Sequence, residues 1–249
     1  MESSKQTRQI ILRLLNNLGS QKEVQQYLKK FSALETDKFA IVKVGGEILQ
    51  QDVAALSSSL AFLQQVGLAP IIVHGAGPQL NQTLASEGIE SRVVDGLRVT
   101  TPEVLKMARR VFQAENLRLV DALRDAGVRA TSITSGVFEA ELLDKDKYGM
   151  VGKITGVHMD LIRAALRAQS MPVISPFAET VDGQILNVNA DMATSELVHA
   201  AQPFKIIFLT GTGGILDHDG NLISSINLST DYQHLMSSDW LHSGMRLKL

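Results

Sequence analysis

From residue 39 onward, short β-rich apolar runs alternate with stretches of helical spacing, and this alternation limits the fold more than any other feature of the chain. The apolar runs are 39–44, 69–74, 128–134, 171–175 and 204–210; helical periodicity fills 52–66, 78–87, 103–126, 158–169 and 190–201. A parallel neighbour cannot be reached by a tight turn, so a strand–helix–strand order favours parallel pairing through helical crossovers. Near-continuous apolar strands also fit a sheet covered on both sides. We therefore expect an α/β fold: a mainly parallel open sheet with helices on both faces, three layers in all. Residues 216–228, "LDHDGNLISSINL", differ, because Asp219-Gly220 between apolar runs predicts a hairpin.

Ahead of the first strand, residues 7–31 place Ile10, Ile11, Leu14, Leu15 and Leu18, then Val24, Tyr27, Leu28 and Phe31, at helical spacing. Ser20 and Glu23 form a capping box for the second of two short helices. Such a pair must bury its apolar face, either on its own domain or against another subunit. We divide the chain into an N-terminal helical segment, 1–36, and an α/β domain, 37–249.

Composition removes several classes of function. The 249 residues carry a formal net charge of -2, so no basic field draws the chain to nucleic acid or to a membrane surface. There is no cysteine, which excludes disulfides, thiolate metal sites and a cysteine nucleophile. No apolar run approaches the ~20 residues that span a bilayer, and the polar "MESSKQTRQ" start has no signal-peptide pattern. A cytoplasmic protein is expected, and the scattered histidines give no metal-ligand spacing.

The glycines collect where ligands bind in open α/β sheets, at the carboxyl ends of strands. The first strand ends in Gly45-Gly46, the second in "HGAG" (74–77) and the fifth in "TGTGG" (210–214). Glycine lets the backbone approach a phosphate and aim N–H groups at its oxygens, with a helix start behind adding partial positive charge. Lys43, set within the first apolar run, is either a snorkelling strand-end residue or part of such a phosphate site. The P-loop pattern, the dinucleotide-binding G-x-G-x-x-G after the first strand and the protein-kinase H-R-D and D-F-G motifs are all absent.

The segments "KVGGE", "VHGAGPQL", "DGLRVT", "LNVNAD", "FLTGTGGILD" and "SGMRLK", in that order, resemble the amino-acid kinase family over nearly the whole chain. "LNVNAD" together with "GLRVT" is similar to the acetylglutamate branch, and the leading helices resemble its arginine-regulated, oligomeric members. The resemblance implies a carbamate-kinase-like fold and phosphorylation of the γ-carboxylate of N-acetyl-L-glutamate by ATP with Mg2+, a step of arginine biosynthesis. It implies Lys43 and Lys248 beside the transferring phosphoryl group, with Asp191 holding both lysines. Gly45 and Gly46 would face the nucleotide phosphates, and Thr210, Gly211, Thr212, Gly213 and Gly214 would lie along the nucleotide. Ala76, Gly77, Arg98 and Asn187 would bind the acetylated amino acid. A homo-oligomer joined through the N-terminal helices and L-arginine as feedback inhibitor are implied as well. Against the family pattern, the 74–77 turn has Ala76 where many members have glycine, and Gly211 stands where simpler kinases carry an aspartate.

These roles suit the chemistry. A γ-carboxylate with a pKa of ~4.3 is already ionised at neutral pH, so it needs no general base. The barrier is one of positioning and charge, which fixed ammonium groups and backbone N–H donors lower. Arginine matches a carboxylate bidentately, and Asn187 offers both a donor and an acceptor. Other readings stay open: Asp191 as an N-cap, Arg98 as a surface ion-pair partner, His74 as a core histidine bonding the glycine turns. The domain is expected to be truncated at its C-terminal end. The chain is then a kinase, the kinase portion of a bifunctional synthase/kinase without its acetyltransferase domain, or a non-catalytic arginine-sensing module.

Overall fold

The computed structural model describes residues 39–65, 67–223, 226 and 228–238. The expected helices of 1–36 and Lys248 lie outside these residues. In chain order the described elements begin with β1 (Ala40–Val44), α1 (Gly46–Gln51), α2 (Val53–Gln65), β2 (Ile71–His74), α3 (Gly77–Ser86), β3 (Val93–Val94) and β4 (Leu97–Arg98). There follow α4 (Pro102–Asp125), β5 (Ala130–Ile133), β6 (Phe138–Leu142), α5 (Lys145–Tyr148), β7 (Gly152–Val157) and α6 (Asp160–Arg167). The series closes with β8 (Met171–Ile174), β9 (Phe177–Glu179), β10 (Ile185–Asn187), α7 (Ala190–Ala201), β11 (Lys205–Leu209) and α8 (Leu228–Ser237).

The five apolar runs become one parallel sheet in the order β11-β1-β2-β8-β5. Side chains alternate across it, as the strand period of two requires. Ile41, Ile71, Val73, Ile133 and Ile174 pack on one face with Ile162 and Leu166 of α6 and Ala193 and Leu197 of α7. Val42, Val44, Ile72 and Val173 pack on the other with Leu49, Leu56 and Leu60 of α1 and α2 and Leu119 and Leu123 of α4. Helices on both faces make the three layers expected. The same alternation puts Lys43 on the face of Ile41, towards α7.

A second sheet, in the order β10-β9-β6-β7, extends the first face: its Phe138, Ala140, Ala178 and Leu186 share the cluster of Ile41. The sequence reading did not contain it. Its strands are short, and polar residues and glycines break them up, as in "GKITGV" and "FEAEL", so no apolar run announces them. The β3–β4 hairpin is also an addition. Asp95 (φ 51) and Gly96 (φ 77) form its two-residue turn, whose left-handed backbone matches the twist of the paired strands.

Helix boundaries follow local chemistry. Thr101 caps α4 by accepting from Val104 N at 3.2 Å, with Pro102 pre-set at the first helical position. The helix expected from residue 52 is preceded by α1, a single six-residue helix that starts directly at Gly46. The hairpin expected in 216–228 is seen in its first part: Leu216 bridges Leu222, and Asp217 Oδ1 accepts from the N–H groups of Asp219 and Asn221. No described helix is long and apolar enough to cross a membrane.

Candidate active site

Three strand ends and three helix starts meet at one cleft of 420 Å³. Gly45 and Gly46 lead from β1 into α1, Ala76 and Gly77 from β2 into α3, and Asn189 and Ala190 from β10 into α7. No side chain caps α1 or α3, which leaves their first N–H groups for a ligand. The two glycine turns also need glycine for mutual packing. A Cβ on Gly46 would lie 2.8 Å from Gln79 Oε1 and Pro78 Cδ and 3.1 Å from Ala76 Cα. Gln79 Nε2 crosses between the turns to donate to Gly46 O at 2.8 Å.

At the floor of the cleft Lys43 Nζ lies 2.9 Å from Asp191 Oδ1, their side chains 10% and 11% exposed. This amine does not snorkel to solvent; it ends on a carboxylate brought from 148 positions further along the chain. Asp191 is not the N-cap of α7 either. Asn189 fills that position, its Oδ1 accepting from Asp191 N at 2.8 Å and Met192 N at 3.2 Å. The Asp191 carboxylate is thereby left for lysine. At this distance the carboxylate attracts the amine and fixes where it points.

Arg98 enters the cleft from β4. Its guanidinium donates to Ser91 Oγ and Asn81 Oδ1, and no carboxylate pairs with it among the described residues. Burial pushes its pKa down, so among the described residues the site holds a half-buried cation with no counter-charge. The surface ion-pair reading of Arg98 therefore finds no support. Asn187, on β10, donates through Nδ2 to Thr100 Oγ1 at 3.1 Å, and Thr100 Oγ1 donates to Arg98 O at 2.9 Å. These bonds tie the hairpin to the second sheet. A further tie sits at its tip, where Asp95 accepts from Tyr148 Oη at 2.7 Å and pairs with Lys147 Nζ at 2.7 Å.

Ala76 is fully buried within the cluster of Leu80, Leu84, Phe112 and Phe177, so the core accommodates its methyl. Of the 210–214 turn, Thr210 and Gly211 line the cleft, and Gly213 lines a neighbouring groove with Ile48, Asp52 and Phe208. Thr212 Oγ1 donates to Gly214 O at 3.0 Å, which closes the turn on itself. Behind the second glycine turn His74 is wholly buried: Nε2 faces Ser175 Oγ at 3.1 Å and Asn116 Nδ2 at 3.1 Å, and Nδ1 faces Gly75 O at 3.4 Å. Desolvation pushes its pKa down to about 4, so the ring is neutral and Nδ1 can donate to the turn.

The sequence reading overlooked three contributors. Asn189 was legible, since asparagine ahead of a helical run is an N-cap signal. The Asp95–Lys147–Tyr148 clasp was not, because it joins residues about fifty positions apart in sequence. The third, Glu47, opens α1 and lines the cleft beside Gly211.

The sequence profile of the amino acid kinase family matches residues 38–249. The chain belongs to the amino acid kinase family. Among the chain's curated relatives, acetylglutamate kinase of Xanthomonas campestris pv. campestris is 59% identical over 232 residues, which are 93% of this chain and 54% of the relative. Protein ARG5,6, mitochondrial, of Candida albicans is 47% identical over 244 residues, 98% of this chain and 28% of that protein. The chain thus spans about half the length of the first relative and less than a third of the second. The crystal structure of smu.665 from Streptococcus mutans UA159 superposes with a TM-score of 0.79 at 27% identity, covering 86% of this chain and 88% of that one.

Proposed function

We propose that this kinase transfers the γ-phosphoryl group of ATP to the γ-carboxylate of N-acetyl-L-glutamate, as a step of arginine biosynthesis. The observation that carries the reading is the buried Lys43–Asp191 pair on the floor of a cleft edged by two uncapped glycine turns. Likeness to a relative called acetylglutamate kinase supports the choice of acceptor.

In this reading Lys43 lies against the phosphoryl group, and Asp191 fixes its amine so that no reorganisation is needed as charge moves to the bridging oxygens. The Gly45 N–H is spent on Leu209 O at 2.9 Å, so of the two expected donors it is the N–H of Gly46 that meets the nucleotide phosphates, while Gly45 supplies the close backbone approach; Thr210 and Gly211, with Thr212, Gly213 and Gly214 behind them, border the nucleotide. Arg98 takes the α-carboxylate, because among the described residues it is a cleft cation that no carboxylate pairs with; Asn187, Ala76 and Gly77 hold the acetylated amino acid. Lys248 is the second stabilising lysine. The acceptor carboxylate is the nucleophile, and burial of the site strengthens each of these interactions.

Among the described residues the cleft presents two carboxylates, Glu47 and Asp191, and Asp191 is committed to Lys43. Glu47 pairs with no cation among the described residues, so an oxygen donor fit for a hard cation is present. Magnesium, carried in on the nucleotide, would neutralise phosphate charge there. We further assign residues 1–36 to joining copies of the chain, cytoplasmic residence to the protein, and feedback inhibition to L-arginine; deleting 1–36 should reduce the mass measured by light scattering.

ADP release coupled to NADH oxidation tests the main reading: turnover should require both ATP and N-acetyl-L-glutamate. Binding of either without turnover would instead assign a regulatory module.

A further inference from the structure

We propose that His74 is a positioning residue of the acceptor site: its Nδ1–H holds the carbonyl of Gly75 behind the second glycine turn and so aims the N–H of Ala76 into the cleft. The inference rests on the proposed kinase reading, which sets the acetylated amino acid against Ala76 and Gly77.

The tautomer follows from the partners of the ring. Asn116 Nδ2 donates to Val173 O at 3.0 Å, and the amide cannot be reversed there, because two oxygens would then face each other. The same nitrogen lies 3.1 Å from His74 Nε2. An amide nitrogen only donates, so Nε2 accepts and the ring hydrogen sits on Nδ1. Nδ1 in turn faces Gly75 O at 3.4 Å. Ser175 Oγ, 3.1 Å from Nε2 and 3.2 Å from Asn116 Nδ2, braces the pair. His74, Asn116 and Ser175 are all buried, so water does not compete for these bonds.

The effect reaches the cleft through one peptide unit. Gly75 is tied at both ends, its N–H donating to Val44 O at 2.8 Å and its carbonyl turned to His74. The Gly75–Ala76 peptide is trans, so its oxygen and its N–H point in opposite directions. With the oxygen held on the core side, the N–H is directed to the side where Gly75, Ala76 and Gly77 line the cleft. It makes no hydrogen bond among the described residues. Beside it stands the first N–H of α3, on Gly77, which no side chain caps. Two neighbouring donors suit a carboxylate; the helix start fixes one of them and His74 fixes the other. Donors set in place beforehand need no reorganisation when the acceptor oxygen attacks.

Two replacements separate the donor from the packing. Glutamine at 74 carries its amide to the place of Nε2 and keeps a polar group against Asn116 and Ser175, but leaves Gly75 O without a donor. Asparagine carries its amide nitrogen to the place of Nδ1 and restores that donor. With ADP release measured on the full chain, His74→Gln should raise the KM for N-acetyl-L-glutamate about tenfold with the KM for ATP unchanged. His74→Asn should recover most of that loss, although thermal unfolding shows both variants to be less stable. Equal KM values in the two variants, or a loss that falls on ATP as well, would overturn the positioning role. Long-range 1H–15N correlation spectra of the unmodified protein read the tautomer directly, even where a variant fails to fold. A hydrogen on Nδ1 is expected, and one on Nε2 would overturn the proposal. Turnover missing from the unmodified protein would overturn the kinase reading instead.

Discussion

At the scale of single residues, Lys43 and Asp191 depend on one another. Each is nearly buried, and each alone would be an uncompensated charge in a poorly solvated place. Lys43→Ala should lower kcat by about two to three orders of magnitude with little change in nucleotide affinity. Parallel kinetics and nucleotide titrations would check this, and an unchanged kcat removes Lys43 from the mechanism. Asp191→Asn should lose about 3 kcal/mol of stability in urea unfolding as well as activity, because the amine stays while its counter-charge leaves. Gly46 is sensitive for another reason. The Cβ of Gly46→Ala would press on Pro78 and on the Ala76 backbone, forcing the two glycine turns apart. Overpacking of this kind costs about 1–3 kcal/mol, and thermal unfolding together with the KM values for both substrates should register it.

Whole elements aim these residues. α7 directs Asp191 at Lys43 only while its first turn is held, and Asn189 holds it with two hydrogen bonds. Asn189→Ala should cost about 1 kcal/mol of stability, with a larger proportional fall in kcat than in stability, because the misplaced group is Asp191. The β3–β4 hairpin carries Arg98 and closes the cleft from one side. Among the described residues its tip is fastened through Asp95 to Lys147 and Tyr148, so Asp95→Ala should loosen Arg98 without touching the phosphoryl end. The expected outcome is a higher KM for N-acetyl-L-glutamate at nearly constant kcat and ATP affinity. A change confined to ATP would place the hairpin elsewhere in the mechanism.

For the whole molecule, the buried His74 links stability to pH. Its folded pKa of about 4 lies below the ordinary histidine value of 6.5, so the unfolded chain takes up a proton where the folded chain does not. Its contribution is therefore complete above pH 6.5 and is lost progressively as pH falls towards 4. The slope approaches 1.36 kcal/mol per pH unit, about 3 kcal/mol over the window. Urea unfolding at a series of pH values should show that slope, and His74→Asn should flatten it from a lower starting stability. An equal slope in both proteins would assign the acid sensitivity to other groups.

The five central strands and the helices between them were legible in the sequence because burial on both faces writes itself locally, as apolar runs and helical periodicity. The glycine turns were legible for the same reason, since backbone approach needs the absence of a side chain within a few consecutive residues. The second sheet was not: "GKITGV" and "FEAEL" acquire their meaning only from partners supplied by other strands. Nor could the sequence choose between cap and ion-pair partner for Asp191, or between a snorkelling and an internal Lys43. Side-chain charge acts over a few ångströms of space, and only folding brings position 43 within 2.9 Å of position 191. Sequence order thus determined which backbone could form, while the tertiary structure decided which charges meet.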